Sequence, residues 1–514
     1  MQTVSQAWKD NQEQHLVSES YVEVVLNVGD PDAQEDTTVL DNGHEDFSNT
    51  SQLADETTKE AIKWGTLETD LWILDGSIEI LPDTGPYGNG GYIGNVLSDA
   101  DGEYTPLPVI TITFSKTYTQ IIPGMMINWG TAYDEYASKF RIKIYNGETV
   151  EKTITIEDNT DVNSIIESDI QNYDKITVEV LEWCRSDRRA RIESIVVGIK
   201  KVYDKGKLIS YSHSMTVDAL SAELPKAEIT FEVENLNGEY NPDNPTGAEK
   251  YLIERQAVIV RYGYKLNSEI EWIKAGTFYL NEWETPQNGI TATFGARDLL
   301  EFMSDEYTGT SSGTLEDIAV AALTQANLPM SSASGNRWSL NDVLSTISAP
   351  SGTELSGYTI AEVLQLVANA ACCVLYQDRD GILHIEPLAE GVTDYEIKQF
   401  NSYANSEISL TKQLKAVNVN DGSAVVTKGT VGETQKVDNP LVSSGRAQTV
   451  AQWTADFLVN RKILSGSFRA DPRLDALDRV TTINQFAEST VLITDIEYTY
   501  NGAFRGSYEG RANV

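Results

Sequence analysis

At 514 residues, with 40% hydrophobic and 23% charged side chains, the chain is too long for one core and too apolar for disorder, so three or four folded units are expected. Its 39 basic and 77 acidic side chains give a formal charge of −38, which argues against a nucleic-acid binder, because such affinity rests on Lys and Arg displacing counterions from phosphates. Three cysteines without framework spacing, Cys184, Cys372 and Cys373, exclude a disulfide scaffold, and no apolar run approaches the roughly 18 residues that span a bilayer.

The first ten residues lack the charged and apolar regions of a secretory signal, so synthesis and folding in a cytoplasm are expected. Residues 1–30 are read as an N-terminal segment ending in a strand over 17–28, and residues 31–63 as a polar connection without periodicity. The first sixty residues hold fourteen acids against Lys9 and Lys59. Such an excess is either a solvated surface or a wall past which DNA moves without sticking.

From 64 to 197, short alternating segments such as 109–114, 140–145 and 175–181 are punctuated by Gly and Asn turns, the signature of a β-sandwich. A second β unit spans 198–302. In its segment 227–234, Ala227, Ile229, Phe231 and Val233 share one face, and Glu228, Thr230, Glu232 and Glu234 share the other.

Residues 303–403 form the mixed section, where Thr314-Leu-Glu-Asp317 and Thr359-Ile-Ala-Glu362 are capping-box patterns that open two amphipathic helices. The second helix runs into Cys372-Cys373 and a hairpin through Asp378-Arg-Asp-Gly381. Residues 404–514 return to strands with one helix near 449–459, and Asn501-Gly502 predicts a type I′ turn in a closing hairpin. The fold class is therefore mostly β with a small α+β part, in several domains.

Chemistry-bearing constellations are sparse. His15, His44, His213 and His384 are scattered without a second His or Cys at ligand spacing, so neither a zinc site nor a His-based triad is read. The vicinal thiols are read as buried apolar groups. The loop Gly85–Gly91 lacks the Lys and following helix of a phosphate loop, and Asp99-Ala-Asp-Gly-Glu103 lacks the length and closing Glu of a calcium loop. No metal, no cofactor and no enzymatic activity are expected. Trp72, Tyr87, Tyr92 and Trp129 in the sandwich are candidate carbohydrate-stacking aromatics, weighed against plain core filling.

From about residue 200 onward the order of segments resembles the tail hub proteins of long-tailed bacteriophages. It rests on Leu224-Pro-Lys-Ala-Glu-Ile-Thr-Phe231, Asn241-Pro-Asp-Asn-Pro245, Val260-Arg-Tyr-Gly-Tyr264, Gly276-Thr-Phe-Tyr-Leu280, Ala296-Arg-Asp-Leu-Leu300, Thr359-Ile-Ala-Glu-Val-Leu364 with Asp378–Glu386, and Tyr500–Gly506. The resemblance implies two hub β-barrel-like domains, 198–302 and 404–514, a mixed α/β middle domain outside them, and a galactose-binding-like β-sandwich inserted after the first strand. It further implies a homotrimer that forms a pseudo-sixfold ring in the virion, at the tail tip or baseplate. Its partners there would be the distal tail protein, tail tube, tape measure and receptor-binding or fibre proteins, with DNA passing untethered through the ring. Glu228, Glu232 and Glu234 are then expected to line the lumen. Two rival readings are an adhesin that binds host surface polysaccharide through the sandwich, and a glycoside hydrolase with facing carboxylates.

Overall fold

The computed structural model describes residues 1–55, 91–131, 133–287, 289–326, 331–332, 335–483 and 486–512. Its dominant feature is a 13-stranded sheet assembled from distant parts of the chain. In spatial order its main path runs Ile199–Tyr203, Ser20–Val28, Ala257–Leu266, Glu269–Glu284, Thr291–Arg297, Lys226–Glu234, Leu208–Thr216, Glu488–Tyr500, Phe504–Ala512, Lys462–Phe468 and Glu407–Leu410. The period-two alternation is the cause: Val22, Val24, Leu26 and Val28 are buried, as are Ile229, Phe231 and Val233, while their neighbours face outward.

The two hub-like sections meet where Leu208–Thr216 pairs with Glu488–Tyr500, setting Tyr211 opposite Tyr500 and Thr216 opposite Asp495. They share one hydrophobic core, in which Phe231, Tyr262 and Phe294 from one section join Phe468, Tyr498 and Phe504 from the other. The long strand Glu269–Glu284 serves two neighbours, Ala257–Leu266 along its first part and Thr291–Arg297 along its last. An N-terminal helix, Gln6–Gln12, straps this body: Trp8 is fully buried edge-on to Tyr264, and the Arg469 guanidinium donates to the carbonyls of Gln14 and His15 just past the helix end.

The sandwich packs a five-stranded sheet (Thr38–Asp41, Val109–Tyr118, Tyr173–Trp183, Ala137–Asn146, Thr149–Ile156) against a three-stranded one (Ser194–Val197, Ile122–Asn128, Asn163–Ile170) around its own core. The polar connection expected over 31–63 is corrected in its described part. Thr38–Asp41 pairs with Val109–Tyr118, and Ala33 and Leu53 are buried in the sandwich core, so the unit begins earlier than periodicity shows.

In the mixed unit both capping boxes are present. Thr314 accepts from the Asp317 amide ahead of helix Leu315–Gln325, and Thr359 accepts from the Glu362 amide ahead of helix Ile360–Ala371, each carboxylate answering its cap's own amide. Cys372, in the left-handed conformation, ends the second helix. The boundary at 403/404 is also corrected: Val417, Val419, Val426, Ala447, Val450, Ala451 and Ala455 pack with Val363, Leu364 and Val367, so strands Leu414–Val419 and Ala424–Thr427 and helix Ser444–Leu458 complete the middle unit's core. At the closing hairpin the connection holds three residues, because Tyr500 pairs with Phe504. Gly502 has positive φ and Asn501 does not, so the expected type I′ turn is replaced by a looser one.

Candidate assembly surface

One face of the main sheet covers the shared core; the other is covered by the middle unit at strand Glu269–Glu284, where Tyr279 joins that unit's core, and is polar over the strands beyond. The strand register places polar side chains on this open part of the face in rows across six strands. In one row Arg297 lies opposite Glu228, then Ser214, Glu497, Ser507 and Ser467. A parallel row reads Lys226, Thr216, Asp495, Glu509, Ser465 and Glu407. Hydroxyls and carboxylates interlock along these rows. Thr216 Oγ1 donates to Asp495 Oδ1 at 2.8 Å, Ser507 Oγ to Glu497 Oε2 at 3.3 Å and Ser210 Oγ to Glu232 Oε2 at 3.3 Å, while Arg297 pairs with Glu228 at 3.0 Å.

Glu228, Glu232 and Glu234 all lie on this face, opposite Arg297, Thr293 and Thr291. Sequence reasoning reached them through the alternation in 227–234. It missed the serines beside them, although Ser210, Ser212, Ser214 and Thr216 recur at the same period of two in a segment whose Tyr211 and His213 are buried. The surface carries acids and hydroxyls with few cations, so it offers water and hydrogen bonds but little to hold a phosphate chain.

Among the described residues, each end of this surface has a strand neighbour on one side only. Glu407–Leu410 pairs on one side with Lys462–Phe468 and is exposed throughout, with Ile408 55% and Leu410 67% accessible. At the other end, residues 281–284 pair on one side with Thr291–Arg297, while the register with Ala257–Leu266 stops at Tyr279.

The carbohydrate reading of the sandwich aromatics is corrected where it can be seen. Tyr92 is 1% and Trp129 0% exposed, the first donating to the Gly43 carbonyl and the second to Ser164 Oγ, so neither ring offers a face to a sugar. Trp72 and Tyr87 lie outside the described residues. The Asp99 carboxylate is spent on its own turn, accepting from the amides of Asp101 and Glu103 at 2.9 Å. Among the described residues no group of three or more His, Cys, Asp or Glu side chains is arranged to hold a metal ion, and no helix is long and apolar enough to cross a membrane.

A cavity of about 290 Å³ lies where the two β sections meet the middle unit, and several of the charged groups around it are engaged with the protein, whereas the buried His213 Nε2 has no hydrogen-bond partner among the described residues. Arg379 is held by Asp475 and backbone carbonyls, Asp478 by the Met1 ammonium at 2.6 Å, and Asp298 by the amides of Ala227 and Leu300. Burial raises the Asp298 carboxyl to about 7 despite those amides. Burial, helped by the nearby Arg379 charge, lowers His213 to about 3, and its Nδ1 shares a 2.7 Å hydrogen bond with the Tyr262 hydroxyl. Cys373, buried at the end of its helix, has a thiol pushed up to about 12 by desolvation. These are the marks of a seam between units rather than of an acid–base pair facing a substrate.

No family model matches the chain, and no curated protein does either. Similar solved structures include tail proteins, among them two of prophages, and a component of a type VI secretion system. A 43 kDa tail protein of prophage MuSo2 from Shewanella oneidensis shares 14% identity over 60% of this chain and 94% of its own, with a TM-score of 0.41. A tail protein from Neisseria meningitidis MC58 shares 12% over 62% and 94%, with a TM-score of 0.44. A prophage tail protein from Listeria monocytogenes EGD-e shares 12% over 62% and 92%, with a TM-score of 0.38.

Proposed function

We propose that the chain is a structural, non-enzymatic hub subunit at the tip or baseplate of a bacteriophage tail, with three copies forming a ring whose lumen is the open face of the main sheet. One observation carries the reading: a single sheet, drawn from both β sections, presents a broad wall of hydroxyls and carboxylates, bounded among the described residues by Glu407–Leu410 and residues 281–284, each with a strand neighbour on one side only. A polar sheet face with open edges is a poor end state for an isolated chain, because unpaired edge strands recruit partners. A ring buries the edges and keeps the wall wet.

The lumenal chemistry suits the passage of DNA. Glu228, Glu232 and Glu234 repel phosphates, and the serine rows keep the wall hydrated, so the duplex finds no continuous track of cations to bind. The sandwich and the middle unit would stand outside the ring and meet the distal tail protein, the tube, the tape measure and receptor-binding or fibre proteins. The ordered segments from Leu224 to Gly506 quoted above support the same reading.

The test is electron microscopy of the particles, with the tail-bound protein weighed by native mass spectrometry. Three copies around the tail axis, with the rows containing Glu228 and Glu497 facing inward, is the expected result. A monomer in intact particles, or a lumen lined mainly by Lys and Arg, overturns it.

A further inference from the structure

We infer that the β-sandwich is a hinged arm: it swings as a rigid unit about a two-glycine joint, Gly29 and Gly198, and is latched by carboxylate–cation pairs to the body formed by the main sheet and the middle unit. This goes beyond the hub reading and does not depend on copies forming a ring. The sandwich interrupts the main sheet between two paired strands, Ser20–Val28 and Ile199–Tyr203, so the chain crosses between arm and body twice. No residue of the sandwich core belongs to the core of the main sheet or of the middle unit. A swing of the arm therefore leaves all three cores closed.

The joint is narrow. On the body side Val28 is paired opposite Ile199, and Gln256 Nε2 holds the Gly29 carbonyl at 2.9 Å. On the arm side helix Pro31–Glu35 travels with the sandwich: Ala33 is buried in its core, the Tyr118 hydroxyl donates to the Asp32 carbonyl at 3.1 Å, and Gln34 Nε2 donates to the Val197 carbonyl at 3.3 Å. Asp30 caps that helix, accepting from the amides of Asp32 and Ala33 at 3.0 and 3.2 Å. What lies between is Gly29 on one crossing and Gly198 on the other, and the two crossings touch. A Cβ on Gly198 would stand 2.7 Å from the Val28 carbonyl oxygen and 2.9 Å from Gly29 Cα, and one on Gly29 would stand 2.8 Å from the Val197 oxygen. Gly198 also has φ of +136°, a conformation open to glycine and to few other residues. Two glycines side by side, each at the end of an element, set one axis.

In the latch each carboxylate comes from the arm and each cation from the body. Asp32 pairs with Arg255, Glu35 Oε1 accepts from Arg337 Nη2 at 2.9 Å, and Asp169 takes Lys250 at 3.2 Å and the Tyr251 hydroxyl at 2.5 Å. Arg337 Nη1 also donates to the Tyr279 hydroxyl at 2.8 Å, which ties the arm to the core of the middle unit. The six charged side chains are 24–51% exposed, so each pair is weak by itself and screened by salt, and the three together hold an arm that can still be released.

The test follows the arm with pairs of spin labels in the full chain. Ile165→Cys with Leu236→Cys spans the joint, and Ile165→Cys with Val150→Cys lies within the sandwich, all at exposed positions. Wild type labelled in parallel accounts for Cys184, Cys372 and Cys373. At low salt the spanning pair should give one narrow separation, and at about 1 M salt a second separation should appear. Arg255→Glu, Lys250→Glu and Arg337→Glu together should raise that second population about tenfold at low salt. Adding Asp32→Lys, Glu35→Lys and Asp169→Lys should return it to the wild-type value, while the pair within the sandwich keeps its separation throughout. A spanning separation that neither salt nor the triple variant changes overturns the hinge. A change that the reversed carboxylates do not undo overturns the latch, and a change within the sandwich means unfolding in place of swinging and overturns both. The hub reading stands or falls separately, on the number of copies in the particle.

Discussion

Arg379 is the side chain on which the three-way seam most depends, and its removal has a calculable effect. It comes from the tip of the middle unit's hairpin and is almost completely buried. Its Nε donates to Asp475 Oδ1 at 2.7 Å, Nη1 to the Lys274 carbonyl at 2.8 Å, and Nη2 to the carbonyls of Pro472 and Leu474 at 2.8 and 3.1 Å. Arg379→Met keeps most of the stem's volume and deletes all four bonds. Breaking a buried pair by removing one partner costs about 3–5 kcal/mol, because the other charge and its neighbouring acceptors are left without compensation. Water entering from the adjoining cavity recovers some hydration of the carbonyls, which places the expected loss near the lower end, about 3 kcal/mol. In a cooperative unit of roughly 150–250 residues that lowers Tm by about 6–12 °C.

The assay is thermal and urea unfolding followed by tryptophan fluorescence, with limited proteolysis to see whether the middle unit detaches before the sheet melts. Asp475→Asn and the double variant complete a cycle. A pair acting as a unit gives a double variant clearly less damaged than the sum of the singles. A loss below about 1 kcal/mol for Arg379→Met, or strict additivity with Asp475→Asn, refutes the argument that this guanidinium joins the three units.

Trp8→Ala should cost about 3–5 kcal/mol by emptying the space beside Tyr264, and the N-terminal strap should then be cleaved first in limited proteolysis. His213, whose folded value of about 3 lies below its ordinary range, contributes stability that is full above about pH 6.5 and is lost as pH falls toward 3, so His213→Phe should flatten that part of the stability–pH curve. Asp298 has the opposite sign: its folded value of about 7 exceeds the unfolded one, so it makes stability decline as pH rises from about 4 to 7, and Asp298→Ser should remove that decline while keeping a helix cap. Cys373 should resist thiol reagents in the folded protein and react once it is denatured, and fast labelling in the native state would contradict its burial.

How much of this was legible beforehand depends on the range of the interaction concerned. The capping boxes at Thr314 and Thr359 were readable because a cap is settled within four residues. The strand over 227–234 and its acid face were readable because a pleat repeats every two residues. The Asn501-Gly502 turn was readable as a turn but not in type, since its length is set by the register of two long strands, which the dipeptide does not encode. The serines of 208–216 carried a readable signal, but small polar residues on a strand are the ordinary sign of a wet face and point to nothing further.

Local patterns in the sequence determined that this chain is mostly β and which faces of its strands are apolar, through periodicity, and where its two best helices begin, through the capping boxes. Only the tertiary structure decided what those faces meet. Pairing Leu208–Thr216 with Glu488–Tyr500 joins segments almost three hundred residues apart, and the same long-range packing assigns Val417 and Val450 to the middle unit and seals Tyr92 and Trp129 inside the sandwich. The physical reason is that hydrophobic burial is non-directional: an alternating pattern specifies that a face must be covered, and shape, register and the rest of the chain select what covers it.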